Sequence, residues 1–187
     1  SSLINMKKLF TYIIVFCLFN INVEAEQLSI SEINLGNKIT NYFTSEQILT
    51  YYDTKLEKEI FGKDKKYSVL NFGESDLFKN NYNNIQIYYE NKSNIIVAIS
   101  TVIFDPEDCK KLRDQKILEY RKKTINLKPK SGIQTFSDGL KDDYVYFDNI
   151  FKKSFMKFSC YYYPKYTDFR TSNMTNEYNK WIFAQFD

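Results

Sequence analysis

The chain has 187 residues, with 26 basic and 23 acidic side chains, a net charge of +3 and no histidine. The near balance of charge argues against a nucleic-acid partner, and the lack of histidine excludes Ser-His-Asp and Cys-His mechanisms and most catalytic zinc sites. Only three basic residues are arginine, while Tyr and Phe each occur 16 times. AT-rich codons produce this composition in bacteria, so abundant lysine and tyrosine are weak evidence of function.

The first residues have the pattern of a secretory leader. The letters MKK are followed by the apolar segment LFTYIIVFCLFNINV and then by Ala25, a small residue at which a signal peptidase would cut. A membrane-spanning helix is the alternative, but the apolar core is shorter than about 20 residues and contains two asparagines. The sequence therefore predicts a cleaved leader over 1–25 and a single domain over 26–187, without a transmembrane anchor and with a periplasmic or secreted location.

Two short helices and three strands are predicted in the first part of this domain. The stretch INLGNKITNYFTSEQILTYYD places apolar residues in helical register, interrupted by a capping box from Thr44 to Gln47. The β-branched and aromatic runs at 67–72, 85–90 and 95–104 are separated by turns rich in Asn and Ser. These runs predict an antiparallel meander.

A third helix is predicted over 106–123, with Asp105 as its N-cap and Pro106 at its first position. A polar connection, LKPKSGIQTFSDGLKDD, separates it from a second hairpin formed by YVYFDNI and FMKFSCYYY. An amphipathic helix over 176–186, capped by Thr175, completes the chain. The order ααβββαββα predicts an α+β fold, in which an antiparallel sheet of about five strands carries helices on one face.

Removal of the leader leaves two cysteines, Cys109 and Cys160. A helix N-terminus lowers a thiol pKa and would favour a nucleophile at Cys109, but acidic residues surround it and no histidine can act as its base. A zinc site would need a CxxC spacing or imidazoles that the chain lacks. In an oxidising compartment such a pair predicts a disulfide between Cys109 and Cys160.

The stretch CYYYPKYTDF holds the candidate binding residues Tyr161, Tyr163 and Tyr166. If a helix covers the side of the strand that carries Cys160, strand alternation turns Tyr161 and Tyr163 to the opposite side. Exposed tyrosines on a rigid strand would bind a protein or a glycan of the cell envelope. The alternative is that they pack against the terminal helix or under the following loop.

The acidic stretch SDGLKDD gathers Asp138, Asp142 and Asp143, which in principle bind Ca²⁺ or supply an acid/base pair. Its spacing matches no calcium loop, and Asp-Gly is typical of turns, so we predict a solvated loop. We predict no catalytic residues, no metal and no cofactor.

Two stretches, INLGNKITNYFTSEQI and STVIFDPEDCKKL, resemble a family of small, exported, uncharacterised proteins of AT-rich marine alphaproteobacteria. That family has a Leu/Ile-Gly motif, a short YF helix and a helix that starts acidic-Cys-Lys-Lys. A more distant similarity is to the helix-helix-sheet domain of outer-membrane assembly lipoproteins and β-lactamase inhibitor proteins. Those proteins also open on a glycine before two short helices, but the lipid-attachment cysteine and the later Gly-x-Pro are missing here.

These features predict an exported, disulfide-stabilised, non-enzymatic binding module whose partner is unknown. The alternative is a hydrolase that uses carboxylates on a cell-wall or glycan substrate. An enzyme of that kind needs at least two acids in one concave pocket, whereas a binding module needs a flat or grooved aromatic surface.

Overall fold

The computed structural model describes residues 27–183, except residues 74, 76, 80, 125 and 151. The predicted leader, the predicted first residue of the mature chain and the last residues of the predicted terminal helix lie outside the described residues. In the part of the chain that is described, none of the helices is long and apolar enough to cross a bilayer.

The described chain folds into an antiparallel sheet with four α-helices and two short 3₁₀ turns. The helices are α1 (Ser45–Tyr51), α2 (Thr54–Phe61), α3 (Cys109–Lys123) and α4 (Asn176–Phe183). The strands are β1 (Tyr67–Asn71), β2 (Asn84–Glu90), β3 (Ile96–Phe104), β4 (Lys130–Thr135), β5 (Lys141–Asn149), β6 (Ser154–Tyr162) and β7 (Thr167–Thr175). Their order in the sheet is β1-β2-β3-β7-β6-β5-β4. The α+β class with an antiparallel sheet is therefore confirmed, but the prediction of about five strands is wrong.

The two strands that the prediction missed are β4 and β7. Strand β4 is an edge strand in which every residue except Gly132 is exposed, so no apolar face marks it in the sequence. Strand β7 lies between β3 and β6, but it buries the polar residues Asp168 and Thr171 along with Phe169. Pairing of β3 with β7 joins the two predicted hairpin groups into one sheet.

Helix α3 begins three residues later than predicted. Its N-cap is Asp108, whose side chain accepts a hydrogen bond from the Lys111 backbone N–H at 3.0 Å. Asp105 instead extends the pairing of β3 with β7, because its N–H donates to the Thr167 carbonyl and its carboxylate accepts from the Thr167 N–H. By contrast, the capping box from Thr44 to Gln47 at the start of α1 is confirmed.

Helices cover both sides of the sheet, so the prediction of helices on one face is wrong. The segment before α1 and α1 itself pack on one side of β1–β3, and α2 and α4 pack on the reverse. Helix α3 packs on β5–β7, on the same side as α1. The strands β1–β3 are buried on both sides because they are apolar at most positions; their buried apolar residues are Tyr67, Val69, Leu70, Ile85, Ile87, Tyr88, Tyr89, Ile96, Val97, Ala98, Ile99 and Val102.

The predicted disulfide joins Cys109 at the start of α3 to Cys160 on β6, with Cα atoms 5.9 Å apart. Phe158 lies in the same buried cluster as Cys160, and Tyr162 packs against it. The three residues therefore share the side of β6 that α3 covers, as strand alternation requires. A bridge across 51 residues stabilises the fold by about 4 kcal/mol in the chain-entropy model.

Candidate binding face opposite helix α3

The strands that α3 covers on one side expose a polar and aromatic surface on the other. We call this surface the open face; it comprises Phe104, Asp142, Tyr144, Tyr146, Lys157, Ser159, Tyr161, Tyr163, Tyr166, Asp168 and Arg170. Strand register places these side chains in rows, of which one runs from Asp142 through Tyr161 to Asp168 and Phe104. In the described part of the chain, none of these side chains belongs to the apolar clusters against which the helices pack.

Two ion pairs hold the open face together. The Lys157 Nζ lies 2.6 Å from an Asp142 carboxylate oxygen, and an Arg170 Nη2 lies 2.8 Å from an Asp168 carboxylate oxygen. Both carboxylates are buried, with 1% and 0% of the residue exposed. Burial alone would lower the pKa of Arg170, but the hydrogen bond to Asp168 and the nearby tyrosines raise it. Arg170 therefore keeps its positive charge beside the buried carboxylate of Asp168.

The same two cations lie against tyrosine rings. The Lys157 Nζ is 4.7 Å from the Tyr144 ring centroid and 5.7 Å from that of Tyr161. The Arg170 guanidinium is 4.9 Å from the Tyr161 centroid. Cation–π attraction of this kind contributes about 0.5–1 kcal/mol at exposed sites and more where water is excluded. These contacts fix the Tyr161 ring beside both cations.

The turn between β6 and β7 brings the other two predicted tyrosines together. The Tyr163 and Tyr166 rings are stacked, with centroids 4.2 Å apart and planes 17° apart. Arg170 donates a hydrogen bond of 3.0 Å to the Tyr163 hydroxyl. Burial raises the pKa of Tyr163, and the positive charge of Arg170 opposes that shift. All three predicted tyrosines therefore belong to one connected cluster.

Two aromatic side chains of the open face are well exposed. Tyr166 is 45% exposed at the turn, and Phe104 is 50% exposed at the end of β3, beside Asp168 in the register. Phe104 was not among the candidate residues, because the sequence placed it only at the end of a strand. These rings are the most exposed parts of the open face.

A glycine shapes the other edge of the open face. Gly132 on β4 is paired with Tyr144 on β5, and the Tyr144 ring lies over it. A Cβ at position 132 would be 2.6 Å from the Tyr144 hydroxyl oxygen. Glycine is therefore needed here for the ring to lie flat against the edge strand, beneath Lys157.

The open face also concentrates unused hydrogen-bonding capacity. Among the described residues, seven buried side-chain N or O atoms lack a hydrogen-bond partner. Four of the seven lie in two neighbouring rows of the open face: Asp142 Oδ1, Ser159 Oγ, Asp168 Oδ1 and Arg170 Nε. Since buried polar atoms are normally paired, this grouping marks the centre of the open face as buried, polar and incompletely hydrogen-bonded.

The acidic stretch at 138–143 does not form a solvated loop, and that prediction is wrong for two of its three acids. Asp142 and Asp143 are consecutive residues of β5, so they point to opposite sides of the sheet. Asp142 belongs to the open face, whereas Asp143 binds Arg113 of α3 at 2.7 Å. Asp138 lies in the turn, where it accepts a hydrogen bond from the Leu140 N–H. The described residues contain no cluster of three or more acidic, His or Cys side chains suited to a metal ion.

The sequence missed the charged half of the open face for a specific reason. Arg170 and Asp168 lie on β7, a segment for which no strand was predicted, and Lys157 is one of many lysines. The alternation in TDFRT, with Phe169 between two charged residues, was the available signal for a strand with one buried side.

No protein-family model, curated protein or solved structure matches the chain. The resemblances drawn from the sequence motifs therefore stay predictions. What the protein does has to be inferred from the geometry of the open face and of the rest of the fold.

Proposed function

We propose that the protein is an exported binding module that holds a cell-envelope partner on the open face. The observation that carries the proposal is a surface of β5–β7 that lies outside the helix-packing clusters of the described residues and on which exposed rings flank an ion-paired centre. Tyrosine and phenylalanine rings supply contact area at low conformational cost. A disulfide under the opposite side of the same strands keeps this surface rigid.

The chemistry of the open face favours a neutral glycan as the partner. Lys157 and Arg170 are each matched by a buried carboxylate, so the centre offers little net charge to steer an anion or a cation. It offers the exposed rings of Phe104 and Tyr166 to sugar C–H groups.

The alternative function, a hydrolase that uses carboxylates, has weaker support. It needs two acids that share one cleft, with one of them available to give up a proton. Asp142 and Asp168 lie on strands separated by β6, and each is bonded to its own cation. Asp143 points to the other side of the sheet. This arrangement suits binding better than acid/base chemistry.

Direct binding measurements test the proposal. We expect chitohexaose or cellohexaose, as neutral glycan probes, to bind the purified protein saturably in calorimetry. Tyr166→Ala and Phe104→Ala should each weaken that binding about tenfold, or about 1.4 kcal/mol, as for the minority of interface residues that matter energetically. Leu118→Ala, which removes an exposed apolar side chain from α3, is the control and should have no effect.

Two results would contradict this function. Absence of binding to either probe, with a cell-envelope protein captured through Tyr166 instead, would replace the glycan with a protein partner. Equal losses for Leu118→Ala and Tyr166→Ala would mean that the open face is not the binding surface.

Export is tested separately, by expressing the chain with its own leader in a Gram-negative host. We expect a periplasmic product whose intact mass corresponds to a chain that starts at Glu26, because Ala25 precedes the expected cleavage point. A product that keeps its leader in the membrane fraction would contradict the predicted location.

A further inference from the structure

A groove crosses the opposite side of the sheet from the open face. In the described part of the chain, the N-terminal segment around Ile30 and helix α3 cover neighbouring areas and leave a gap above β3 and β7. Two adjoining cavities of about 350 Å³ and about 570 Å³ fill this gap. Because Ile30, Ser31, Tyr82 and Lys116 line both, we treat the two cavities as one and call it the inter-cover groove. Its size is typical of small-molecule sites, at roughly 300–1,000 Å³.

The floor of the inter-cover groove is mainly apolar. It contains the side chains of Ile99 and Ile103 on β3 and of Met156 and Phe158 on β6. Thr101, Thr171 and Asn173 also lie in the floor. The Thr101 and Thr171 hydroxyl oxygens are 2.7 Å apart and hydrogen-bond to each other. The hydroxyls are already paired, so the floor suits an apolar chain better than a polar ligand.

The rim of the inter-cover groove carries an excess of positive charge. Three lysines line it, namely Lys79, Lys116 and Lys123, against one acid, Glu119. The Lys116 Nζ lies 3.0 Å from the Glu119 carboxylate, and this contact lowers the pKa of Glu119. Two lysine charges remain in excess along the rim, which favours an anion beside the apolar floor.

We propose that the inter-cover groove binds a single-chain amphiphile with an acidic head group, of the chemical class of a fatty acid. The alkyl chain lies on the floor formed by β3, β6 and β7, where it removes apolar surface from water. The acidic head lies at the lysine rim, beside Lys123, because Glu119 is paired with Lys116. This ligand site is separate from the open face. A failure of the proposed glycan binding would therefore leave this proposal unaffected.

Three amphiphiles with the same ten-carbon chain and different head groups test the proposal: decanoate, decyl maltoside and decyltrimethylammonium. Each is titrated below its micelle concentration into the full exported chain and followed by calorimetry. We expect decanoate to bind saturably and about tenfold more tightly than decyltrimethylammonium, a difference of about 1.4 kcal/mol. Binding of decyltrimethylammonium as tight as that of decanoate, or no saturable binding of decanoate, would overturn the proposal.

Three variants, one of them a control, locate the ligand. Lys123→Gln should weaken decanoate about fivefold, as expected for one exposed charged contact, and leave decyl maltoside unchanged. Lys111→Gln, which removes an exposed lysine of α3 outside the groove, should change neither. Asn173→Trp fills the floor and should abolish binding of all three compounds. If that variant does not fold, the head-group series and the two lysine variants still decide. Equal effects of the two lysine variants, or unchanged binding to folded Asn173→Trp, would refute the site.

Discussion

The two sides of β5–β7 use the same strands for opposite purposes. On the side of α3, alternate residues bury Phe147, Phe158 and Phe169 around the disulfide. On the open face, the residues in between form ion pairs and place tyrosine rings against cations. Because strand alternation separates the two sets, one side stabilises the fold while the other remains available for contact. The four predictions below test that division, from the largest expected effect to the smallest.

Removal of a buried ring should show how strongly the α3 side holds the fold. Phe158 is 2% exposed and packs against Tyr120 and Phe147. Phe158→Ala should lower the free energy of unfolding by about 3–5 kcal/mol, as measured by urea denaturation. The control is Phe155→Ala on the open side of the same strand, where the ring contacts Tyr146 and is only partly buried. Similar losses for the two variants would show that the two sides do not differ as described.

Removal of one charge should show how much the open face depends on its ion pairs. Lys157→Met leaves the buried carboxylate of Asp142 without its cation and should destabilise the fold by about 3 kcal/mol. The double variant Lys157→Met with Asp142→Leu removes both charges and should recover most of that loss. Urea denaturation at neutral pH measures both. A double variant as unstable as the single one would mean that lysine packing, rather than charge, is what matters.

The link between α3 and β5 should depend on pH. Burial alone would raise the pKa of Asp143, but Arg113 and Lys110 together lower it below its usual value. A depressed carboxyl pKa contributes stability above the unfolded pKa of about 3.9, and that stability is lost as pH falls through the folded pKa. Asp143→Asn should therefore cost about 1–2 kcal/mol at pH 7 and progressively less below pH ~4.

Asp148→Asn, at an exposed position of the same strand, is the control. It should change the free energy of unfolding by less than about 0.5 kcal/mol across this pH range. The measurement is the free energy of unfolding of each variant from pH 3 to pH 7. A cost for Asp143→Asn that does not shrink in acid would contradict the role assigned to the charge.

The smallest effect on stability should come from the edge of the open face. Gly132→Ala places a methyl group where the end of the Tyr144 ring lies, so the ring has to turn away from Lys157. The change in the free energy of unfolding should stay below about 1 kcal/mol, because a flexible side chain can yield and alanine restricts the unfolded chain. Aromatic ring signals of Tyr144 in NMR spectra should shift, and those of Phe147 and Phe158 should not. Unchanged Tyr144 signals would contradict the described contact.

Much of the fold followed from local patterns. The capping box at Thr44, the meander of β1–β3, the hairpin of β5 and β6 and the pairing of Cys109 with Cys160 were all predicted correctly. Each depends on residues close in sequence or on the small number of cysteines. The prediction that Tyr161 and Cys160 point to opposite sides of the sheet followed from strand alternation alone. For the same reason, Tyr161 and Tyr163 of the open face were identified as candidates.

What the tertiary structure decided was which distant segments meet. Strand β7 lies in the centre of the sheet although its sequence is polar, because Asp168 and Thr171 find partners on neighbouring side chains. That pairing brings Arg170 beside Tyr161 and Phe104 beside Asp168, and so creates the charged centre of the open face. Likewise, the inter-cover groove exists only because the N-terminal segment and α3 cover adjacent parts of one sheet side. Sequence patterns report whether a residue prefers burial, but the partners that make burial of a charge favourable are supplied by strands far away in the chain.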